Sequence, residues 1–425
     1  MSAALAALEN LGMVMLSRRK NCWTIVNDKA ENRVHVKKAM TALTMRGGAN
    51  YFQGESVMAD KKKSAKAQLI DLRGRDVITT QEFSVAELEA ILALALEMKK
   101  NRYSERHAKL MLRQTFTMLF YNPSLRTRQS FEAAATELGG HAQFLEPKAM
   151  RLKSVSGKKD SAGESIHDAA KVIARYSTGM GIRILENSVD KYGDGNWLLR
   201  EYAKFADIPV LNMADDIYHP CQGLADNMGM RLNVAQGEST RGKTLLQTWA
   251  SGKLARSYCS VHESLLINSR LGMNIRLAFP KGYELPDTRV LDAVRENCKR
   301  AGTKFEMIND PLAGYEGSDY VYSRNWFGPD FYQIGKDAEI ARASDPKYKD
   351  WICDERKMKI AGPDAKFIHP MPVDEEHEVT PEVNRGPRSI IMDIAECRLH
   401  VQKALMAMTI CGVKMQGGRI IWPKK

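Results

Sequence analysis

The sequence predicts an α/β protein of two doubly wound parallel-sheet domains, with a C-terminal helix packing back on the first. Three observations carry that prediction. From residue 69 onward, short apolar runs alternate with amphipathic helical stretches, the pattern of parallel strands covered on both faces. The 425 residues leave room for two domains and an N-terminal segment. Hydrophobic residues make up 44% and charged residues 27%, ordinary for a globular chain. The expected layout is an N-terminal extension and linker over 1–68, one sheet domain over 69–212, a second over 213–393, and a closing helix and tail over 394–425.

Each element has a local reason. Apolar residues at 88, 91, 92, 95 and 98 share one helical face, so 86–99 is expected to be a helix. The apolar run 115–121, bounded by Asn122-Pro123, is short enough for a buried strand. A helix over 130–138 is stopped by Gly139-Gly140. Further helices are expected at 166–176, 223–232, 260–270 and 289–300. Strands are expected at 181–185, 210–213, 244–250, 274–279, 304–308, 319–323, 366–369 and 389–392, with the closing helix over 395–409. Residues 58–67 are lysine-rich and without period, as in a linker. Residues 24–45 align without a gap on 389–410, sharing Asp28/Asp393, Glu31/Glu396, Arg33/Arg398, His35/His400 and Lys38/Lys403. Two copies so far apart are no solenoid repeat. The first copy reads as a remnant of a paralogue's C-terminal end or a mis-assigned start, with a spare docking helix as the alternative.

Composition excludes several classes. No apolar run approaches the roughly 20 residues that span a bilayer, and the basic residues Arg18 to Lys20 follow the first apolar stretch instead of preceding it, the wrong order for a secretory signal. Seven scattered cysteines without a C-x-x-C pair read as reduced thiols, so a cytoplasmic protein is expected. No histidine spacing suits a metal, and neither a metal nor a cofactor is expected. The net charge of +12 would suit nucleic acid, but no segment interleaves aromatic and basic residues, and no nucleic-acid partner is expected. A basic surface also concentrates anionic substrates.

The segment Ser124-Leu125-Arg126-Thr127-Arg128 follows a strand and opens a helix. Backbone N–H groups and the helix dipole converge there, and hydroxyls and guanidinium forks add donors that suit a phosphate. A capped helix with surface arginines would use the same residue types.

Ser-x-Arg-Thr-Arg after a strand resembles the carbamoyl phosphate loop of the aspartate and ornithine carbamoyltransferases. Other signatures of that family stand in order: Gly181-Ile182-Arg183, His219-Pro220-Cys221-Gln222, Tyr322-Ser323-Arg324-Asn325-Trp326, His369-Pro370-Met371-Pro372 and Glu396-Cys397-Arg398-Leu399-His400. Thr248-Trp249, the Tyr-x-Arg-x-Trp motif and Arg398-Leu399-His400-Val401-Gln402-Lys403 are most similar to the knotted N-acetylornithine branch. The resemblance implies a carbamoyl phosphate domain followed by an amino-acid domain. It implies that Ser124, Leu125, Arg126 and Thr127 hold the phosphate, that Thr127, Arg183 and His219 surround the carbonyl oxygen, that Gln222 reads the carbamoyl nitrogen, and that Arg398 adds a positive contact. Arg126, Thr127, Arg183 and His219 then carry the catalysis. A neighbouring subunit completes such sites with a lysine, for which Lys158 and Lys159 are the candidates, implying a homotrimer or a dimer of trimers. For the amino-acid substrate, Asp215 could bind an ammonium, Arg324 and Lys253 a carboxylate, and the Pro370-Met371 turn lies beside them.

The expected activity is transfer of a carbamoyl group from carbamoyl phosphate to the amine of ornithine or an N-acylornithine, within arginine metabolism. The alternatives are another acceptor (aspartate, or an amine or amide of purine and allantoin breakdown) and a catalytically silent ligand-binding relative. Departures fall on the acceptor side: the ornithine enzymes' Ser-Met-Gly loop is replaced by Ser323-Arg324-Asn325-Trp326, and the loop after Trp249 reads Ser251-Gly252-Lys253-Leu254-Ala255-Arg256.

Overall fold

The computed structural model describes residues 15–19, 22–26, 68–150, 152, 163–234, 239–254 and 256–424, the first two segments as backbone. The chain divides into two compact units, residues 1–66 and 67–425. In the first, strands β1 (Met15–Arg19) and β2 (Cys22–Val26) pair antiparallel, Met15 opposite Val26 and Arg19 opposite Cys22. Residues 24–26 of the repeated segment lie in β2. Its residues 27–45, and Lys158 and Lys159 further on, fall outside the described residues.

The second unit opens with β3 (Leu69–Asp71) and helix α1 (Val85–Lys100), started by a capping box in which Ser84 and Glu87 satisfy each other's backbone N–H groups. Next come β4 (Thr115–Phe120), α2 (Leu125–Glu137), β5 (His141–Leu145), α3 (Ile166–Tyr176), β6 (Gly179–Arg183), α4 (Asp194–Phe205) and β7 (Val210–Ala214). They form a fully parallel sheet in the order β5-β4-β6-β7. Helix α5 (Pro220–Leu232) leads to β8 (Thr244–Trp249), α6 (Cys259–Arg270), β9 (Asn274–Ala278), α7 (Thr288–Ala301), β10 (Phe305–Ile308) and β11 (Tyr320–Arg324). Short helices α8 (Phe331–Ile334), α9 (Lys336–Ala343) and α10 (Glu355–Ala361) precede β12 (Lys366–Ile368). The second sheet, also parallel throughout, runs β10-β9-β8-β11-β12.

Short helix α11 (Pro381–Asn384) precedes α12 (Ile391–Thr409), which returns to the first sheet and packs on α1, α2 and α5. Gly229 lets α5 and α12 approach, since a Cβ there would collide with Ile394. Leu405, Met406 and Met408 of α12 are fully enclosed, each worth about 1.5–3 kcal/mol on burial. Lys403 donates to Glu137 (2.9 Å) and to the Arg102 carbonyl (3.0 Å), so this buried ammonium is paired and tied to α2. Strands β13 (Lys414–Gln416) and β14 (Arg419–Ile421) then join β3 in an antiparallel sheet that ties the C-terminus to the start of the unit.

Two of the differences from expectation have a clear local cause. Helix α2 begins at Leu125, five residues before the expected 130, because Ser124 in extended backbone caps it by accepting from Thr127 N. The expected strand 389–392 is reduced to one bridge between Ser389 and Phe367, after which the chain turns into α12.

Candidate active site

In open parallel sheets the loops beyond the carboxyl ends of the strands gather at the point where the chain switches direction across the sheet. The first sheet switches between β4 and β6, the second between β8 and β11. The loops at both switch points line one cavity of about 250 Å³. Ser124, Arg126 and Thr127 enter it after β4, Arg183 at the end of β6 and Glu186 just past it, His219 and Gln222 after β7. The second sheet brings Leu254, Arg256 and Ser257 after β8, Arg324 at the end of β11, and Pro370, Met371 and Pro372 after β12. Arg398 comes from α12.

The first-sheet loops are fixed to one another. Asn122 accepts from Leu185 N (2.6 Å) and donates to Ser188 Oγ (2.9 Å), clamping the β4 loop to the β6 loop. Thr127 is fully buried and its hydroxyl accepts from Arg398 Nη2 (2.9 Å), joining the helix start to α12. Gln222 donates its amide nitrogen to Asp226 (2.8 Å), which leaves its carbonyl as an acceptor for an N–H group.

Five arginines share this cavity, and they feel each other. Burial, with Arg324 and Arg183 beside it, pulls Arg126 down to about 10, and burial pulls Arg398 to about 10. His219 is held well below its ordinary value by burial and by Arg398, Arg183, Arg324 and Arg126, so its imidazole is neutral. The Nε atoms of Arg126, Arg183 and Arg398, and Nε and Nη1 of Arg324, are enclosed without a hydrogen-bond partner among the described residues. Buried donors left unpaired are costly, and a dianion satisfies several of them at once. The arrangement can therefore bind a phosphate group and polarise a carbonyl beside it.

Behind the second-sheet wall, Glu378 is fully buried and accepts from Asn325 N and Asp374 N (2.8 Å each). It lies 3.3 Å from Arg256 and 3.2 Å from His369. Burial would raise its carboxyl, but His369 and Arg256 overcome that and hold it at about 2. This ionised hub fixes Arg256, the strand end that carries Arg324, and the His369 turn.

Of the residues expected at the site, Ser124, Arg126, Thr127, Arg183, His219, Gln222, Arg324, Pro370, Met371 and Arg398 line the cavity, whereas Leu125 is largely exposed outside it. Asp215 is not brought there. Its carboxylate is consumed by Asn196 (2.7 Å), Asn212 (2.9 Å), Ile217 N (2.7 Å) and Tyr218 N (2.5 Å), so it shapes the turn before His219 instead of receiving an ammonium. Lys253 also lies outside the lining, its backbone N–H donating to Asp374 (3.1 Å). Glu186, Arg256, Ser257, Cys259 and Ser260 were not expected. Glu186, Arg256 and Ser257 sit between elements and Cys259 and Ser260 at the start of α6, none of them within a local motif that marks a site.

Comparison with known proteins agrees with this geometry. Residues 75–231 match the family "Aspartate/ornithine carbamoyltransferase, carbamoyl-P binding domain", and residues 254–409 match "Aspartate/ornithine carbamoyltransferase, Asp/Orn binding domain". The ornithine carbamoyltransferase of Thermococcus kodakarensis is 32% identical over 82% of this chain and 100% of its own length. The N-acetylornithine carbamoyltransferase of Xanthomonas campestris pv. campestris is 33% identical over 78% of this chain and 97% of its own. A crystal structure of acetylornithine transcarbamylase complexed with acetylcitrulline superposes with a TM-score of 0.72 at 31% identity, covering 79% of this chain and 99% of that one. With both domain signatures in order and the arginine-lined cavity between them, the chain belongs to the aspartate/ornithine carbamoyltransferase family.

Proposed function

We propose that this protein transfers the carbamoyl group of carbamoyl phosphate to the amine of ornithine or an N-acylornithine, releasing phosphate. The observation that carries the reading is the convergence of Arg126, Arg183, His219 and the Thr127–Arg398 pair on one cavity. Ser124, Arg126, Thr127 and the backbone at Leu125 hold the phosphate, with Lys158 or Lys159 of a neighbouring copy as a further contact. Thr127, Arg183 and neutral His219 donate to the carbonyl oxygen as it gains charge, the stabilisation that contributes most to such reactions. Gln222 accepts from the carbamoyl NH2, and Arg398 orients Thr127. Arg324 takes the acceptor's carboxylate, and Pro370 and Met371 pack against its chain. A homotrimer supports the lysine contact, and the cytoplasm suits the five buried free thiols among the described residues. No helix among the described residues is long and apolar enough to cross a membrane.

The test is turnover of carbamoyl phosphate with a panel of ornithine, N-acetylornithine, N-succinylornithine, putrescine, aspartate and oxamate, read as ureido product and phosphate. Ureido product with an ornithine derivative is expected. Binding of carbamoyl phosphate without product from any acceptor would instead identify a silent relative. Arg126→Ala should lower turnover at least ~10²-fold; near-normal activity would sink the phosphate assignment.

A further inference from the structure

The cavity holds one carboxyl group that the donor-side chemistry leaves unused. Glu186 is the single acidic residue among the described lining residues, set among five arginines. It stands three residues past Arg183, on the loop that Asn122 clamps through Leu185 N. Its Oε2 is shut off from solvent and has no hydrogen-bond partner among the described residues. A simple counter-ion role would give an ion pair with a guanidinium, yet among the described residues none within 4 Å involves Glu186, while Arg256 and Glu378 do form one at 3.3 Å. The groups that face it are Arg183 from β6, Arg324 from β11, Cys259 from α6 and Tyr332 from α8, with the Ser257 hydroxyl beside it. Glu186 thus shares the cavity with, and feels the charge of, both the arginine assigned to the carbonyl and the arginine assigned to the acceptor.

That position matters because the nucleophile arrives in the wrong form. An alkyl ammonium ionises near 10.4, so at pH 7 on the order of one amine in 10³ carries a free lone pair. A base at the place where the amine docks removes that restriction, and general bases of this kind contribute about 10²–10⁴-fold. We propose that Glu186 is a catalytic residue that accepts the proton of the incoming acceptor ammonium. A proton passes from the ammonium nitrogen to Glu186 Oε2, and the freed lone pair forms the C–N bond to the carbonyl carbon. The C–O bond to phosphate breaks, the phosphate leaves with that electron pair and takes the second amine proton, and Glu186 returns its proton to solvent. Burial raises the Glu186 carboxyl above the ordinary range while Arg183 and Arg324 restrain it, which makes it a stronger base than an exposed carboxylate.

The inference rests on the carbamoyl-transfer reading, so wild-type turnover of N-acetyl-L-ornithine and L-ornithine is measured first. Absence of product from every acceptor in the panel overturns that reading and this one together. Given turnover, E186Q and E186D are compared with wild type from pH 6.5 to 10, with carbamoyl phosphate affinity by calorimetry as the check on folding. Expected are unchanged carbamoyl phosphate affinity, an acceptor KM within about threefold, and kcat of E186Q down ~10²–10³-fold at pH 7. The deficit should shrink as pH rises and the free amine accumulates, and E186D should recover part of the loss. A wild-type pH profile and kcat in E186Q would overturn the proposal, leaving phosphate as the sole proton acceptor. So would a loss confined to KM, which would mean that Glu186 holds a nitrogen that does not react.

Discussion

At the scale of the residue, the role proposed for His219 is that of a neutral donor. Burial and four arginines keep it unprotonated, so it can polarise a carbonyl through N–H without adding a further charge to the cluster. His219→Ala is expected to reduce kcat by ~10²–10³-fold with little change in carbamoyl phosphate affinity, as loss of an oxyanion donor does; steady-state kinetics and calorimetry separate the two. Ser124, Arg126, Arg183, His219 and Arg398 were legible in the sequence because each lies in a short contiguous motif at a strand or helix end. Glu186 and Ser257 were not, because their role depends on which loops meet in space. Asp215 misled for the same reason. An acid four residues before a histidine looks available until the four donors that consume it are seen.

At the scale of the element, α6 of the second sheet is fastened to the loop that follows β3. Glu263, fully buried, accepts from Thr80 N (2.7 Å) and the Thr79 hydroxyl (3.1 Å), and the Thr80 hydroxyl also reaches it. Burial pushes its carboxyl up to about 7 despite these donors. A raised folded value means that the contribution to stability is whole below the unfolded value near 4.5 and is lost as pH rises through 7. Glu263→Gln, which cannot ionise, should therefore gain stability relative to wild type between pH 5 and pH 8. The upper limit is about 3 kcal/mol. Urea midpoints at the two pH values measure it, and a constant difference between the proteins would refute the assignment. Period and punctuation revealed the long elements. Half-exposed β5 and the α4 start at Asp194, after a loop-like Gly193, lacked a clear apolar face and were missed. The Ser389 strand failed because one bridge cannot hold a segment that α12 recruits.

At the scale of the whole molecule, two parallel sheets with reversed strand order at facing loops make a site that neither sheet contains alone. The alternation of strand and helix made that architecture legible, but which loops meet is set by strand order, and order is not written in local pattern. Both family matches begin beyond residue 74, so removing residues 1–57 is expected to leave turnover and oligomeric state unchanged. Size-exclusion chromatography and the ureido assay check this, and loss of either would give the repeated segment a function. The contact between Arg398 and Thr127 spans 271 residues of chain. Ribosomes add about 5–20 residues per second, so roughly 14–54 s separate the synthesis of the two partners. A nascent chain can already display the phosphate loop while the guanidinium that orients it does not yet exist. The pair thus forms only after residue 398 has been made, and a chain cut short before it keeps the Ser124–Arg128 segment without the guanidinium that Thr127 accepts from.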